Sequence, residues 1–304
     1  MDKNRRKGKR FYQIIALVCG VLCLCCIVWI VAYLIGQKRA EAELEAMRDA
    51  YISQENGTAD EPDADTYESG NHAMSEKIGE NETESGEGTP EKGDMKEEFP
   101  PEHYGITDKK VDIAALKEEV NQDIYAWIYV PGTVIDYPVL QHPEEMDYYL
   151  EYNIDGTKGR PGCIYTQRMN SKDWTDPNTV LYGHNMRVGT MFADLHKFED
   201  EDFFEENRYI HIYTEDGRIL VYEIFAAYVT GNEHLLLTYP IYTEEGFQSY
   251  LDGIFENTGK GCHFLEDREL TAEDRIITLS TCVYGQSDKR YLVQGVLVAE
   301  KEQK

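Results

Sequence analysis

Ile276-Ile277-Thr278-Leu279-Ser280-Thr281-Cys282 is the stretch that decides the fold. Its β-branched and apolar residues end on a thiol, a pattern that predicts a buried strand with one reactive side chain at its end. A turn-rich segment, 284–288, separates it from a second strand-like run, 291–298, and together they predict a hairpin. In this hairpin we expect the thiol to face Arg290, because side chains alternate along a strand and Lys289 then turns to the other face.

The amino-terminal 36 residues differ from the rest of the 304-residue chain. Residues 1–10 carry six basic side chains against one acid, and residues 11–36 contain no charged side chain. An uncharged run longer than roughly 20 residues predicts a transmembrane anchor, with its basic flank in the cytoplasm and the following residues outside the cell. A cleaved signal peptide is the alternative, since Ala40-Glu41-Ala42 resembles a cleavage site, but signal peptides have shorter apolar runs.

Residues 37–103 form an acidic segment with 20 Asp or Glu residues, six Lys or Arg residues and three aromatic residues. This composition buries too little apolar surface to offset the entropy of ordering, so it predicts a disordered tether. Residues 41–51 could extend the membrane helix by a few turns. The formal net charge of −27 argues against nucleic acid as a partner.

Residues 104–304 contain the elements of one domain. Alternating apolar runs predict seven or more short strands, and single helices are predicted over 109–123, 190–198 and 243–256. Because no βα unit repeats, the fold class is all-β, with a closed barrel as the architecture. No Gly-rich phosphate loop and no metal-ligand spacing of His and Cys occur, so we expect neither a cofactor nor a metal.

The chemistry centres on Cys282. A thiol attacks an acyl group as its thiolate, which at neutral pH requires a base or a cation. His184 is the candidate base, at a strand end beside a glycine, and Arg290 is the candidate stabiliser of an oxyanion. From spacing alone an inert buried thiol is the commoner outcome. Cys163 and Cys262 are either free or joined in a disulfide, and the cysteines of the first 36 residues are interpreted as apolar helix residues rather than as a lipoprotein site.

Two motifs then identify a family. Thr278-Leu279-Ser280-Thr281-Cys282 followed by Arg290 resembles the signature of the sortases, the cysteine transpeptidases of Gram-positive cell envelopes. Leu181-Tyr182-Gly183-His184-Asn185-Met186 is similar to their histidine motif. The class B branch is resembled by three further segments, Ala126-Trp127-Ile128, Pro131-Gly132-Thr133 and Ile135-Asp136-Tyr137-Pro138-Val139.

The resemblance implies an eight-stranded sortase barrel, no metal and a two-step reaction. Cys282 would attack the Thr carbonyl of a carboxy-terminal sorting motif in a secreted protein, and an amine of a cell-wall precursor or a pilin would resolve the thioacyl enzyme. His184 would be the acid and base, and Arg290 would contact the oxyanion and the substrate. Ser280 and Thr281 would line the peptide groove.

One departure from the family pattern and several histidines stay unassigned. Gln167 stands where the family pattern predicts an acid, so this part of the wall is expected to differ. His196 and His211 are predicted to be packed or surface residues, and three loop histidines have no evident partner: His142, His234 and His263.

Two rival functions remain. One is a catalytically silent membrane-tethered binding domain. The other is another acyl-transferring cysteine enzyme, such as an L,D-transpeptidase, although the Ser-His-Gly-Cys motif expected there is absent.

Overall fold

A computed structural model describes residues 2–54, Tyr104, residues 109–265 and residues 268–303. The chain begins with one long helix, α1 (Asp2–Tyr51), which includes the predicted anchor. Within the described part of the chain, no helix is long and apolar enough to cross a membrane.

α1 continues through Tyr51, so residues 41–51 extend the helix as the sequence allowed, and the helical part of the acidic segment begins at its first residue. Glu, Ala, Arg and Met, all strong helix formers, dominate this stretch. The short strand β1 (Ile52–Gln54) follows and pairs antiparallel with β2 (Lys109–Val111). The residues on the two sides of the predicted tether are therefore neighbours. The prediction of disorder for residues 55–103 concerns residues outside the described part of the chain.

A closed barrel forms the body of the protein. Its strands are β3 (Ile124–Tyr129), β4 (Asp136–Leu140), β5 (Ile164–Thr166), β6 (Asn178–Tyr182), β7 (Tyr209–Thr214), β8 (Arg218–Gly231), β10 (Ile276–Val283) and β11 (Gln286–Glu302). They follow the order β11-β10-β6-β5-β4-β3-β7-β8, and pairing of β11 with β8 closes the ring. The two-residue β9 (His263–Phe264) adds to β8. The predicted eight-stranded all-β barrel is confirmed.

Short helices lie around the barrel. They are α2 (Ile113–Glu119), α3 (Tyr148–Glu151), a 3₁₀ helix (Ala193–Glu199), α4 (Glu201–Glu206), α5 (Leu235–Thr238) and α6 (Glu244–Ile254). The helix predicted over 109–123 is wrong at its start, because the first three residues are committed to β2. Asp112 caps the shorter helix by accepting a hydrogen bond from the Ala115 N–H at 2.9 Å. The helix predicted over 190–198 is shorter and of the 3₁₀ type.

Three apolar clusters hold the strand ends in place. The barrel interior is filled by fully buried side chains such as Phe192, Leu279 and Val293. A second cluster, around Trp127, lies on the outer face under α2. The third lies under α6, whose apolar stripe, including Phe247, packs against the outer face near β10. With both faces of the β10 region covered, the position of its carboxyl end is fixed by packing.

Candidate active site

The predicted nucleophile lies at the end of β10. Cys282 is exposed, whereas the six residues before it in the strand are buried. Its register partner on β11 is Arg290, the pairing expected from the sequence. The ladder shifts register between Cys282 and Val283, so regular pairing ends just beyond the thiol.

His184 reaches the same end of the barrel because β6 runs parallel to β10. Ser280 pairs with Tyr182 in this register, and the histidine follows two residues later. Gly183 between them is required by packing: a Cβ there would lie 2.5 Å from Ile164 Cδ1 and 2.8 Å from the Phe192 ring. The glycine lets the backbone pass close to the core before the histidine emerges.

The ring of His184 is held by one strong contact. Its Nε2 lies 2.8 Å from the carbonyl oxygen of Leu150, which can only accept, so Nε2 carries the proton. Burial lowers the pKa of His184 below its ordinary value; the Leu150 contact opposes this shift and the positive charge of Arg160 adds to it. Gly162, with a φ of 69°, lies beside the ring, and a Cβ there would stand 2.7 Å from the Tyr149 carbonyl.

Arg290 is half-buried and has no carboxylate partner among the described residues. Its Nη1 donates to the backbone carbonyls of Ser287 at 3.1 Å and Lys289 at 2.8 Å. Its guanidinium keeps donors for which no described residue is an acceptor, which suits a contact with an anionic or developing oxyanion group.

A pocket of about 220 Å³ joins these side chains. It is lined by Cys282, His184, Arg290, Ser280, Thr281 and residues of the α3, β5, β8 and α5 regions. Ser280 and Thr281 border this pocket and are both buried. The Thr281 hydroxyl donates to the Gly183 carbonyl at 2.8 Å, so this side chain also ties the nucleophile strand to the histidine segment.

One wall of the pocket is a polar chain that the sequence did not predict. Gln167 Nε2 donates to Asp147 Oδ1 at 2.8 Å, and His234 Nε2 donates to Gln167 Oε1 at 2.7 Å. Tyr165 donates to the same carboxylate at 3.0 Å. The wall at Gln167 therefore contains a carboxylate, that of Asp147, and His234, for which the sequence indicated no partner, hydrogen-bonds to Gln167.

Two further side chains near the thiol were missed. Asn185 Nδ2 donates to the Cys282 carbonyl at 3.0 Å, and His196 Nε2 lies 3.1 Å from the same oxygen. The only sequence signal for His196 was its spacing from Glu199, three residues later on a helix, where side chains meet. His211, by contrast, is buried in β7 as predicted, and His142 and His263 contact neighbouring loops and helices.

The remaining thiols take no part in this site. Cys163 and Cys262 are both free, so the alternative of a disulfide between them is wrong. Burial raises the pKa of the Cys163 thiol, which keeps it protonated and inert. Within the described ranges, no group of His, Cys, Asp and Glu has the arrangement of a metal site.

Comparison with known proteins identifies the family and agrees with the barrel fold. A model of the sortase domain matches residues 128–298. The sortase B of Listeria monocytogenes is 33% identical over 187 residues, which cover 60% of this chain and 73% of the relative. The crystal structure of Clostridium perfringens sortase B superposes with a TM-score of 0.54 at 33% identity, covering 61% of this chain and 99% of that one. A Staphylococcus aureus sortase B–substrate complex gives a TM-score of 0.53 at 29% identity, covering 61% of this chain and 83% of the other.

Proposed function

The chain belongs to the class B sortases, a family of cysteine transpeptidases, and we propose that it cleaves a sorting motif at its Thr and transfers the acyl group to an amine. Cys282 attacks the Thr carbonyl carbon, the peptide nitrogen leaves, and a thioacyl enzyme remains. An amine then attacks the thioester, and the thiol is regenerated when the new amide forms.

One observation carries this proposal: Cys282, His184 and Arg290 come from three different strands or loops and line one pocket. His184, with its proton on Nε2, has Nδ1 available to take the thiol proton and return it to the leaving nitrogen. Arg290, whose charge does not titrate, stabilises the oxyanion of the tetrahedral intermediate and contacts the substrate. Ser280 and Thr281 border the groove that receives the peptide.

The partners follow from the family. The donor is a secreted surface protein with a carboxy-terminal sorting signal, and the acceptor is an amine of a cell-wall precursor or of a pilin. We place the enzyme at the cell membrane, with a cytoplasmic amino terminus and an extracellular barrel. The support for an anchor is the sequence, with its basic flank at 1–10 and its uncharged run at 11–36, together with the exposure of large apolar side chains such as Leu24 and Trp29 in α1.

The test is incubation of the purified full-length chain with a library of sorting-motif peptides and an amine acceptor. We expect cleavage after Thr, an acyl-enzyme mass adduct on Cys282, and ligation of the amine. A folded protein that forms no adduct with any peptide would favour the alternative of a catalytically silent binding domain. Adduct formation without any cleavage at Thr would favour another acyl-transferring cysteine enzyme.

A further inference from the structure

The carbonyl oxygen of Cys282 lies where the nucleophile hairpin changes register. At this break it accepts two side-chain hydrogen bonds, from Asn185 at 3.0 Å and from His196 at 3.1 Å. The donors belong to different segments, the loop after His184 and the 3₁₀ helix. Together they restrain the peptide unit that carries the nucleophile, in a place where the strand ladder no longer does.

His196 is itself held in a single orientation. Its Nδ1 lies 2.6 Å from Glu199 Oε1, and its ring stacks on Tyr291 with the ring centroids 5.0 Å apart. The 3₁₀ helix that carries it is locked into the core by Leu195 and Phe198, both fully buried. The imidazole therefore bridges the two strands of the nucleophile hairpin, with one contact to the β10 backbone and one to a β11 ring.

The two polar contacts of His196 join the nucleophile strand to the 3₁₀ helix. Nε2 faces the carbonyl oxygen of Cys282 and Nδ1 faces Glu199 Oε1, so each ring nitrogen has its own polar partner. The contact with Glu199 orients the imidazole so that Nε2 points at the backbone of the nucleophile.

We propose that His196 is a positioning residue for acylation, supported by Glu199 behind it and Asn185 beside it. These side chains keep the peptide unit of Cys282 in the orientation that directs the thiol to the pocket. By donating to the carbonyl oxygen, they also reduce the negative potential next to the thiolate that must form. This inference rests on the proposed function, since it assigns a role within the same reaction.

The test begins with His196→Phe, which retains a ring on Tyr291 and removes both hydrogen bonds. We expect single-turnover formation of the thioacyl enzyme to fall about tenfold, as kcat rather than KM, in line with loss of an orienting hydrogen bond. The rate of Cys282 alkylation by iodoacetamide, followed by mass spectrometry of its peptide, should fall in parallel at an unchanged melting temperature. His142→Phe is the matched control: its Nδ1 accepts from the Glu145 backbone N–H at 2.9 Å and its ring stacks on Tyr148, away from Cys282, so both rates should stay at wild-type values.

Two more variants separate positioning from packing. His196→Gln retains a donor for the carbonyl and should recover most of the rate, and Asn185→Ala combined with His196→Phe should be non-additive, because both donors serve one oxygen. Wild-type rates in His196→Phe, or losses that only follow the melting temperature, would overturn the inference. If His196→Phe does not fold, Glu199→Gln decides: a drop of about threefold in alkylation supports it, and an unchanged rate refutes it. Alkylation needs no peptide, so the series stays decisive even if the proposed transpeptidation fails.

Discussion

His184 and His211 each donate one hydrogen bond from Nε2, and their surroundings differ. Each donates from Nε2 to a backbone carbonyl, His184 to Leu150 at 2.8 Å and His211 to Tyr104 at 2.9 Å. His211 lies on the outer face of β7, fully buried, and its Nδ1 has no hydrogen-bond partner. Burial lowers the pKa of His211 to about 4. The ring of His184, in contrast, borders an open pocket. The difference teaches that the surroundings of the second ring nitrogen, rather than the direction of the pKa shift, distinguish the proposed catalytic histidine from a structural one.

The surroundings of the two histidines differ in the same way. Near His211 lies a region we call the flank, formed by Asp136, Lys109, Arg48, Trp127 and Tyr129, where the end of α1 meets the barrel. Asp136 pairs with Lys109, accepts from Trp127 Nε1 at 2.6 Å and lies 3.2 Å from Arg48 Nε. The cations of the flank are thus bound to a carboxylate, whereas the hydrogen bonds of Arg290 to described residues go to backbone carbonyls.

The largest expected effect separates the two histidines. His184→Gln should reduce single-turnover acylation by about a thousandfold, because it removes the group proposed to move the proton. His211→Gln should leave the rate per folded molecule unchanged. Both rates are measured with saturating peptide on protein whose folded fraction is known from circular dichroism. Equal losses in the two variants would contradict the contrast.

The second prediction compares cations. Arg290→Ala should slow acylation by a factor of about a hundred or more, as expected for loss of an oxyanion donor. Arg290→Lys should also be slow, because an ammonium group lacks the planar fork of donors. Lys289→Ala and Arg48→Ala are the controls, and neither should change the single-turnover rate appreciably. If Lys289→Ala were the slow variant, Arg290 would lose its proposed role.

The third prediction concerns the stability of the flank. Asp136→Asn leaves the buried Lys109 without its counter-ion and should lower the free energy of unfolding by about 2.5 kcal/mol, somewhat below the usual range because Asp136 retains 16% side-chain exposure. Burial already lowers the pKa of Lys109, and only Asp136 opposes that shift. Urea unfolding at neutral pH measures the change. Glu215→Gln, which breaks the exposed ion pair with Lys117, should alter it by less than about 1 kcal/mol.

The smallest predicted effect is on pH dependence. Because the pKa of His211 is about 4 when folded and 6.5 in its ordinary state, the unfolded chain binds the proton first as the pH falls. The contribution of His211 to the free energy of unfolding is complete above pH 6.5 and is lost as the pH falls towards 4. Between pH 7 and pH 5 this loss amounts to roughly 2 kcal/mol. The nearby groups are Lys109, which lowers the pKa further, and the Tyr129 ring, 5.9 Å away. Urea unfolding at the two pH values should show this loss reduced in His211→Gln; an identical loss would contradict it.

The sequence predicted the local features of the fold well. Strand alternation was enough to pair Cys282 with Arg290, since a hairpin with a short turn leaves few registers. The closed barrel followed from many short strands without repeating βα units. His184 could be selected because it stands at a strand end beside a glycine, and the family motifs supported that choice.

Long-range features could not be predicted in this way. Pairing of Ile52–Gln54 with Lys109–Val111 joins segments separated by more than fifty residues, and neither three-residue strand has a pattern of its own. The helix predicted to begin at 109 fails for the same reason, because a distant partner outweighs local helix propensity. The contacts of His196 and the Asp147 chain are also tertiary, and a single sequence records no such proximity.

The β1–β2 pairing has a consequence for how the catalytic barrel is carried. Gln54 and Lys109 are register partners, so the two sides of the predicted tether lie side by side. A second joint lies at the end of α1, where Met47 is buried against the barrel and Arg48 binds Asp136. The last turns of α1 and the barrel are therefore packed as one rigid body. If α1 is the proposed anchor, the distance of the pocket from the membrane follows from the rise per residue of a helix.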